Sequence, residues 1–362
     1  MTTPAKQAEA DQASAAFHVA LTQIGAGTVE EALRLWQAVP VTARSTTSTA
    51  WLRKAITLVM TRRRMSRDLA RAYYRLARAL RTGTTVADPY HREPTYVTLD
   101  VLRREFAELA GDAPGGPLEG SEEASGPSAP VPSSPAASGP SVEAGEEVQD
   151  DPDDDLILVE ELPGLAEDEE RIEREAEEQA KVVLDLLGPA NLDHKTSAID
   201  EGKPATTVDK ARSEAHQQAG ARQAAAAERL VNNGGRSTVW NHMEKDRRVI
   251  GYIRLSRTGT PCGWCAMLIS RGPVYRSQKS AEYGDGDKYH DNCHCYAEPV
   301  FTRAQYDSPA YELNRSYEEL WPKVTRGLSG KAAVSAWRRF VRQQQMAAAQ
   351  EARQSTTSVQ EA

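Results

Sequence analysis

Apolar residues along this chain recur mostly at helical spacing, and the period changes once, near residue 249. Leu52, Ile56, Val59 and Met60 follow the i, i+4, i+7, i+8 rhythm of a buried helix face, and Leu69, Tyr73, Leu76 and Leu80 form a second stripe. Thr28-Val-Glu-Glu31 is a capping-box pattern ahead of Leu33 and Trp36, so a helix is expected to start there. Ser66 reads in the same way as the N-cap of the helix over 69–80. After Pro163, Ile172, Ala176, Ala180, Val183 and Leu187 make a stripe stopped by Gly188-Pro189. An alanine-rich helix follows over about 209–231, with a stop expected at Asn232-Asn-Gly-Gly235. These two helices are poor in large apolar groups, so they should pair as a long hairpin or pack on a partner.

Then the pattern shortens. Val249-Ile-Gly-Tyr-Ile-Arg-Leu255 is enriched in β-branched and aromatic residues and reads as a strand. Cys262 to Ile269 reads as a knuckle opening a short helix, ended by Arg271-Gly272-Pro273 before Val274-Tyr275. Tyr296-Ala-Glu-Pro-Val-Phe301 reads as a closing strand, and Pro299 puts it at a sheet edge. Val334, Trp337, Phe340 and Val341 mark one further amphipathic helix. The polar loop over 278–288 contains Gly284-Asp-Gly-Asp287, which lacks the ligands and terminal glutamate of a calcium loop.

Charge divides the chain. Of 362 residues, 44 are basic and 52 acidic, for a net charge of −8, yet residues 111–155 alone hold twelve Asp or Glu and no Lys, Arg or aromatic side chain. That Pro-, Gly- and Ser-rich stretch cannot bury enough apolar surface to offset its conformational entropy and is expected to be a disordered linker. Before it, sixteen basic residues face ten acidic ones. Arg67, Arg71, Arg75 and Arg78 stand two residues out of phase with their apolar stripe, about 200° round the helix, hence on the opposite face. The ordinary reading is a solvated face. A surface for nucleic acid or an acidic partner is the other, although no aromatic residues interleave the arginines for base stacking.

Aromatics at 6% and a mean hydropathy of −0.59 favour helices and elongated pieces over one large core. No stretch approaches the roughly 20 apolar residues of a membrane span, so no membrane partner is expected. The fold class expected is mostly α, with a small α+β module of zinc-knuckle type near the C-terminus and the acidic linker between helical regions. Its parts are a basic helical module over 1–110, the linker over 111–155 and a helical hairpin over 156–235. A Cys/His module over 236–301, C-terminal helices over 302–349 and a disordered tail over 350–362 complete it.

All four cysteines fall in that small module. Cys262-Gly-Trp-Cys265 is followed by His290-Asp-Asn-Cys293-His294-Cys295. Two ligands two residues apart reach one ion from a tight turn, and Cys262 with Cys265, like His290 with Cys293, meet that spacing. The segment between can leave and return as a loop. Cys295 and His294 are surplus, and either could replace a neighbour. Two disulfides would use the same cysteines, but the chain opens Met1-Thr2-Thr3-Pro4-Ala5-Lys6 with no apolar run behind it, so no oxidising compartment is expected. Reduced core cysteines beside an exposed histidine are the remaining alternative.

The runs Trp264-Cys-Ala-Met-Leu-Ile-Ser-Arg-Gly-Pro-Val-Tyr275 and Tyr289-His-Asp-Asn-Cys-His-Cys-Tyr-Ala-Glu-Pro-Val-Phe301 resemble the C-terminal module of phage Mu F-like head morphogenesis proteins. The resemblance is closest to the actinobacteriophage branch, whose members are labelled capsid maturation proteases and carry a Tyr-Tyr-Arg-like segment, here Tyr73-Tyr74-Arg75. It covers about residues 236–301 and places the family's Cys/His motif on Cys262, Cys265, His290, Cys293 and Cys295. His294 stands where many relatives have arginine. The resemblance implies a role in procapsid assembly and maturation with the portal, scaffold and major capsid proteins, and contact with packaged DNA. It implies a place in the host cytoplasm during assembly and then in the procapsid or virion interior. Zinc is the metal implied.

Proteolysis has no motif behind it. The chain has no His-Glu-x-x-His to hold a catalytic zinc and no Gly-x-Ser-x-Gly nucleophile turn. A Ser-His pair would have to use His242 or His290, and a Cys-His pair would draw on the cluster, where a zinc-bound thiolate is not free to attack. His242 and Glu244, two apart on a helix, do not face one point. The alternative to a protease is a non-enzymatic minor capsid protein with a structural zinc site that binds portal or scaffold.

Overall fold

The computed structural model describes residues 3–111, 156–256, 261–275, 289–291 and 293–360. The acidic stretch read as a linker, beyond Gly111, and the loop over 278–288 lie outside the described residues.

Four long helices form the body: α1 (Pro4–Gln37), α2 (Thr49–Thr82), α4 (Leu165–Leu187) and α6 (Ala205–Lys245). Thr3 caps α1 by accepting from the Lys6 amide at 3.3 Å, with Pro4 in the first turn. α2 ends on Gly83 in the left-handed region, with φ 76°. Short α3 (Leu99–Gly111) and α5 (Pro189–Ser197) flank this body.

Three expected helix boundaries are absent. Thr28 lies inside α1, where its buried hydroxyl donates to the Ile24 carbonyl at 2.7 Å instead of opening a helix. Ser66 lies inside α2, and its hydroxyl donates across to Val231 O at 2.7 Å. The Gly234-Gly235 pair does not stop α6. A Cβ on Gly234 would stand 2.7 Å from Arg63 Cγ and 2.8 Å from Arg63 O, and one on Gly235 would stand 2.8 Å from Ser66 O. These glycines are where α6 crosses α2 backbone to backbone, and the packing gained outweighs roughly 1 kcal/mol of helix propensity for each.

Two three-stranded sheets sit on this body. The first comprises β1 (Thr84–Val86), β2 (Tyr96–Thr98) and β3 (Leu156–Glu160) in the order β1-β3-β2. β3 enters between the other two, parallel to β1 and antiparallel to β2. The second comprises β4 (Gly251–Leu255), β5 (Val274–Tyr275) and β6 (Tyr296–Val300) in the order β5-β4-β6. β4 is antiparallel to both neighbours, with Tyr252 opposite Pro299, so the proline lies on an edge strand.

One apolar core runs from Ala10 to Tyr311 and joins regions that the sequence divides into modules. The second sheet docks on α1 and α2 through Phe17, which stacks on Tyr73 at 4.4 Å and meets Tyr296 edge-on at 6.0 Å. Buried Glu298 of β6 accepts from Tyr73 Oη at 2.5 Å and Ser14 Oγ at 3.1 Å. Tyr74 Oη donates to Asp246 at 3.0 Å, so the Tyr73-Tyr74-Arg75 segment ties α2 to the sheet and to the end of α6.

The arginine face of α2 is not solvated. Arg63, Arg71, Arg75, Arg78 and Arg81 are all buried. Arg63 pairs with Glu173 at 2.8 Å and Arg67 with Glu169 at 3.0 Å. Arg71 shares Glu169 at 3.1 Å, and Arg75 meets Glu105 at 2.7 Å. Arg78 meets Asp246 at 2.6 Å and Glu160 at 2.5 Å, and Arg81 meets Asp11 at 2.6 Å. The acidic partner for this face is the chain itself, chiefly β3 and α4. Arg78 and Asp246 are each only 1% exposed, and such a pair persists because every charged end is hydrogen-bonded.

Beyond the second sheet, α7 (Gly263–Ile269), α8 (Glu312–Val324) and α9 (Gly330–Gln360) close a smaller core around buried Trp337. The backbone of α9 continues to Gln360, past residue 350 where disorder was expected, as propagation from a docked helix gains one hydrogen bond per residue.

Candidate metal centre

The cysteines converge at the seam between α7 and β6. Cys262 is the N-cap of α7, its sulfur accepting from the Cys265 amide at 3.4 Å, and Cys265 sits one turn on, facing the same point. Cys293 and Cys295 precede β6 two residues apart, the spacing that puts both side chains on one face of extended chain. Cys265 Sγ lies 3.4 Å from Cys293 Sγ and 2.9 Å from Cys295 Sγ, and Cys293 Sγ lies 3.1 Å from Cys295 Sγ. His290 Nε2 stands 2.8 Å from Cys262 Sγ and 3.8 Å from Cys265 Sγ. All four cysteines are free thiols rather than disulfides.

The five predicted ligands therefore form two overlapping triads that share Cys265. Cys262, Cys265 and His290 make the outer one, and Cys265, Cys293 and Cys295 the fully buried one. Each triad has donor atoms within 4.8 Å of one another, so the cluster can hold a metal ion. His294 stands apart: its side chain is exposed, and its carbonyl accepts from His18 Nε2 at 2.6 Å.

The electrostatics fit a cation. Hydrogen bonding from Cys265, aided by His290, brings the Cys262 thiol down to about 5. Cys265 and Cys295 hold Cys293 well below the ordinary thiol range. Cys265 itself is pushed far up by Cys262, then Cys293 and Cys295. Sulfurs at contact cannot all ionise side by side, so without a cation some must keep their protons; a divalent ion removes that conflict.

Five further side chains complete the surroundings. Buried Arg254 of β4 reaches Cys295 Sγ at 3.8 Å, and buried Arg236 of α6 donates to Cys293 O. Both guanidinium groups lie over the Tyr289 ring, at 4.1 and 4.2 Å from its centroid. Burial pushes the Tyr289 hydroxyl up to about 12. Arg229 of α6 meets Asp291 at 2.5 Å, next to His290. These positive charges offset a thiolate cluster and hang it from α6. Tyr289 and Asp291 lie in the run that carries the family resemblance and Arg254 is the lone charge inside an apolar strand run, whereas Arg229 left no trace in the sequence.

Neither histidine offered for a Ser-His pair has a serine partner among the described residues. His242 is 1% exposed; its Nδ1–H donates to Thr238 O at 2.8 Å, its Nε2 has no hydrogen-bond partner among the described residues, and burial lowers its pKa. His290 Nδ1–H donates to Asp291 O at 2.7 Å, and its other nitrogen faces the cysteines.

A family model described as VG15 protein, a viral gene-product family, matches residues 174–323. That span takes in most of α4, all of α5, α6 and the second sheet, the cysteine cluster and nearly all of α8. The match fits a phage protein. No curated protein and no solved structure matches this chain. No helix among the described residues is long and apolar enough to cross a membrane.

Proposed function

We propose that this protein is a bacteriophage head morphogenesis protein of non-enzymatic, minor-capsid type, whose zinc site is structural. The observation that carries the reading is the buried triad of Cys265, Cys293 and Cys295, flanked by Arg236 and Arg254. A catalytic zinc needs an open coordination position beside a substrate cleft, whereas these sulfurs are enclosed by protein. Zinc suits a thiolate-rich set with one imidazole, with Cys262 or His290 completing four-coordination around the triad. The ion would tie the start of α7 to the start of β6 and so close the small module on the helical body. The match to a viral family over the same residues supports the setting. Portal, scaffold and major capsid proteins are the partners proposed, in the host cytoplasm during assembly and then in the procapsid interior.

A capsid maturation protease is the second reading, and it has one specific support: the 2.8 Å contact between the Cys262 thiol and His290 Nε2, the geometry of a thiol with its base. Elemental analysis of the full chain, with co-expression of scaffold and capsid proteins, separates the two. One zinc per chain with uncut partners is expected. Partner cleavage that a Cys262→Ser change abolishes, with the fold retained, would establish the protease.

A further inference from the structure

Between α4 and α6 lies a cavity of about 760 Å³, with Arg63 of α2 among its lining residues and Tyr289 beside the cysteine cluster. Two residues that line it carry a buried donor with no acceptor among the described residues: the Nε–H of Arg236, a residue 4% exposed, and the hydroxyl of Tyr289. The other arms of Arg236 are engaged, one by Asn233 Oδ1 at 3.2 Å and one by Cys293 O. The two orphans belong to side chains in direct contact, since the guanidinium lies over the tyrosine ring. Buried donors left unpaired are costly, and both lack the same thing, an oxygen acceptor.

Carboxylates line the cavity as well. Asp168 and Glu175 of α4 line the same cavity and share Arg171, and Asp168 also meets Lys245. Arg63, Arg171 and Arg229 line it too, but each already meets a carboxylate, so a polyphosphate would find guanidinium groups that are spoken for. A peptide presents an isolated carboxylate and can place its own cations on the rim.

We propose that this groove binds a peptide segment of a protein partner, one that inserts a carboxylate between Arg236 Nε and the Tyr289 hydroxyl while basic neighbours meet Asp168 and Glu175. The volume is in the range of sites that bury a ligand of several residues. The site uses no metal ligand, but Arg236 and Tyr289 also border the cluster, so the metal content is read alongside the binding.

The test follows the assigned indole N–H of Trp240, a residue that also lines the groove, by NMR on the full chain with its metal content measured. Acetyl-Lys-Glu-Lys-amide is the probe and acetyl-Lys-Gln-Lys-amide the control. A saturable shift with the glutamate peptide is expected, weakened about tenfold by Tyr289→Phe, which removes one hydrogen bond to a charged group. Gln179→Trp, at an exposed position on the α4 wall, should abolish the shift with the metal content unchanged even if Tyr289→Phe disturbs the cluster. Equal shifts with both peptides, no shift up to about 20 mM, or a response only to duplex DNA would overturn the proposal.

Discussion

The arginine face of α2 and the cysteine cluster are both buried concentrations of ionisable groups, and they balance their charge in opposite ways. Along α2, each guanidinium meets a carboxylate of its own chain: Arg63 with Glu173, Arg71 with Glu169, Arg75 with Glu105 and Arg78 with Asp246. Nothing further is needed to neutralise it. Around Cys265 the thiols crowd one another, and the nearest cations, Arg236 and Arg254, stand behind the sulfurs rather than among them. The first region is closed electrostatically within the chain, while the second is arranged for a cation from outside. Metal availability should therefore govern one and leave the other untouched.

Chelation, or Cys265→Ser, attacks the difference most directly because Cys265 belongs to both triads. Structural zinc contributes on the order of 10 kcal/mol of apparent binding energy in small modules, so its loss should be the largest effect. Hydrogen exchange should show protection lost over 263–269 and 293–295, while the amides of α2 keep theirs. Equal loss in both regions would mean that they form one cooperative unit and that the contrast is only local.

Cutting the arginine ladder should do the reverse. Arg78→Met leaves Asp246 buried with Tyr74 Oη and the Arg248 amide as its remaining donors, at a cost of about 3–5 kcal/mol in urea denaturation. Adding Asp246→Leu should recover a large part of that, since removing both charges leaves neither unpaired. Zinc content should not change in either variant. If the double variant is no better than the single one, Arg78 acts mainly through its bonds to Thr85 O and Thr84 rather than as an ion-pair partner.

Gly234→Ala tests how tightly the two regions share α6. The added methyl would meet Arg63 Cγ at 2.7 Å and Ser66 Oγ at 2.7 Å, so α6 must move away from α2. A loss of about 1–3 kcal/mol is expected, against the gain that alanine brings to an open helix. Since Arg236 lies two residues on, a weakened zinc affinity in the same variant would show that the crossing also aims the cluster.

These two regions also differ in how far the sequence made them legible. The cysteine cluster was readable because its chemistry is local: two pairs of ligands two residues apart, in a stretch where the apolar period changes from 3.6 to 2. The small sheet, its edge proline and the short helix opened after Cys262 followed from the same stretch. The arginine face was visible as a face but not as buried, because the partners named for it come from 30 residues away in the chain, as with Glu105 for Arg75, to 168 away, as with Asp246 for Arg78. Charge spacing gives the direction of a side chain and says nothing of what covers it. Helix boundaries failed for a related reason. Thr28, Ser66 and Gly234-Gly235 carry local stop or start chemistry, but each spends it on another use: a bond to its own preceding turn, a bond to α6, and a close crossing with α2. The first sheet left no signal, as its strands are short and β3 arrives from beyond the acidic stretch.

The smallest expected effect concerns the outer end of the ladder, where Glu160 joins β3 to Arg78 and Arg248, both at 2.5 Å. The Arg248 hydrogen bond, followed by that of Arg78, holds this carboxyl down to about 2 from an ordinary 4.5. A depressed carboxyl contributes stability that is fully present above the unfolded value and is lost as pH falls through the folded one. The contribution should therefore be constant at neutral pH and disappear between about 4.5 and 2. With the side chain 30% exposed, solvent screens the pair, and roughly 1 kcal/mol is a reasonable size. Glu160→Gln should lower the urea midpoint slightly at pH 7 and flatten its fall across that acid window. An unchanged acid limb would show that Glu160 does not set the pH sensitivity of this edge.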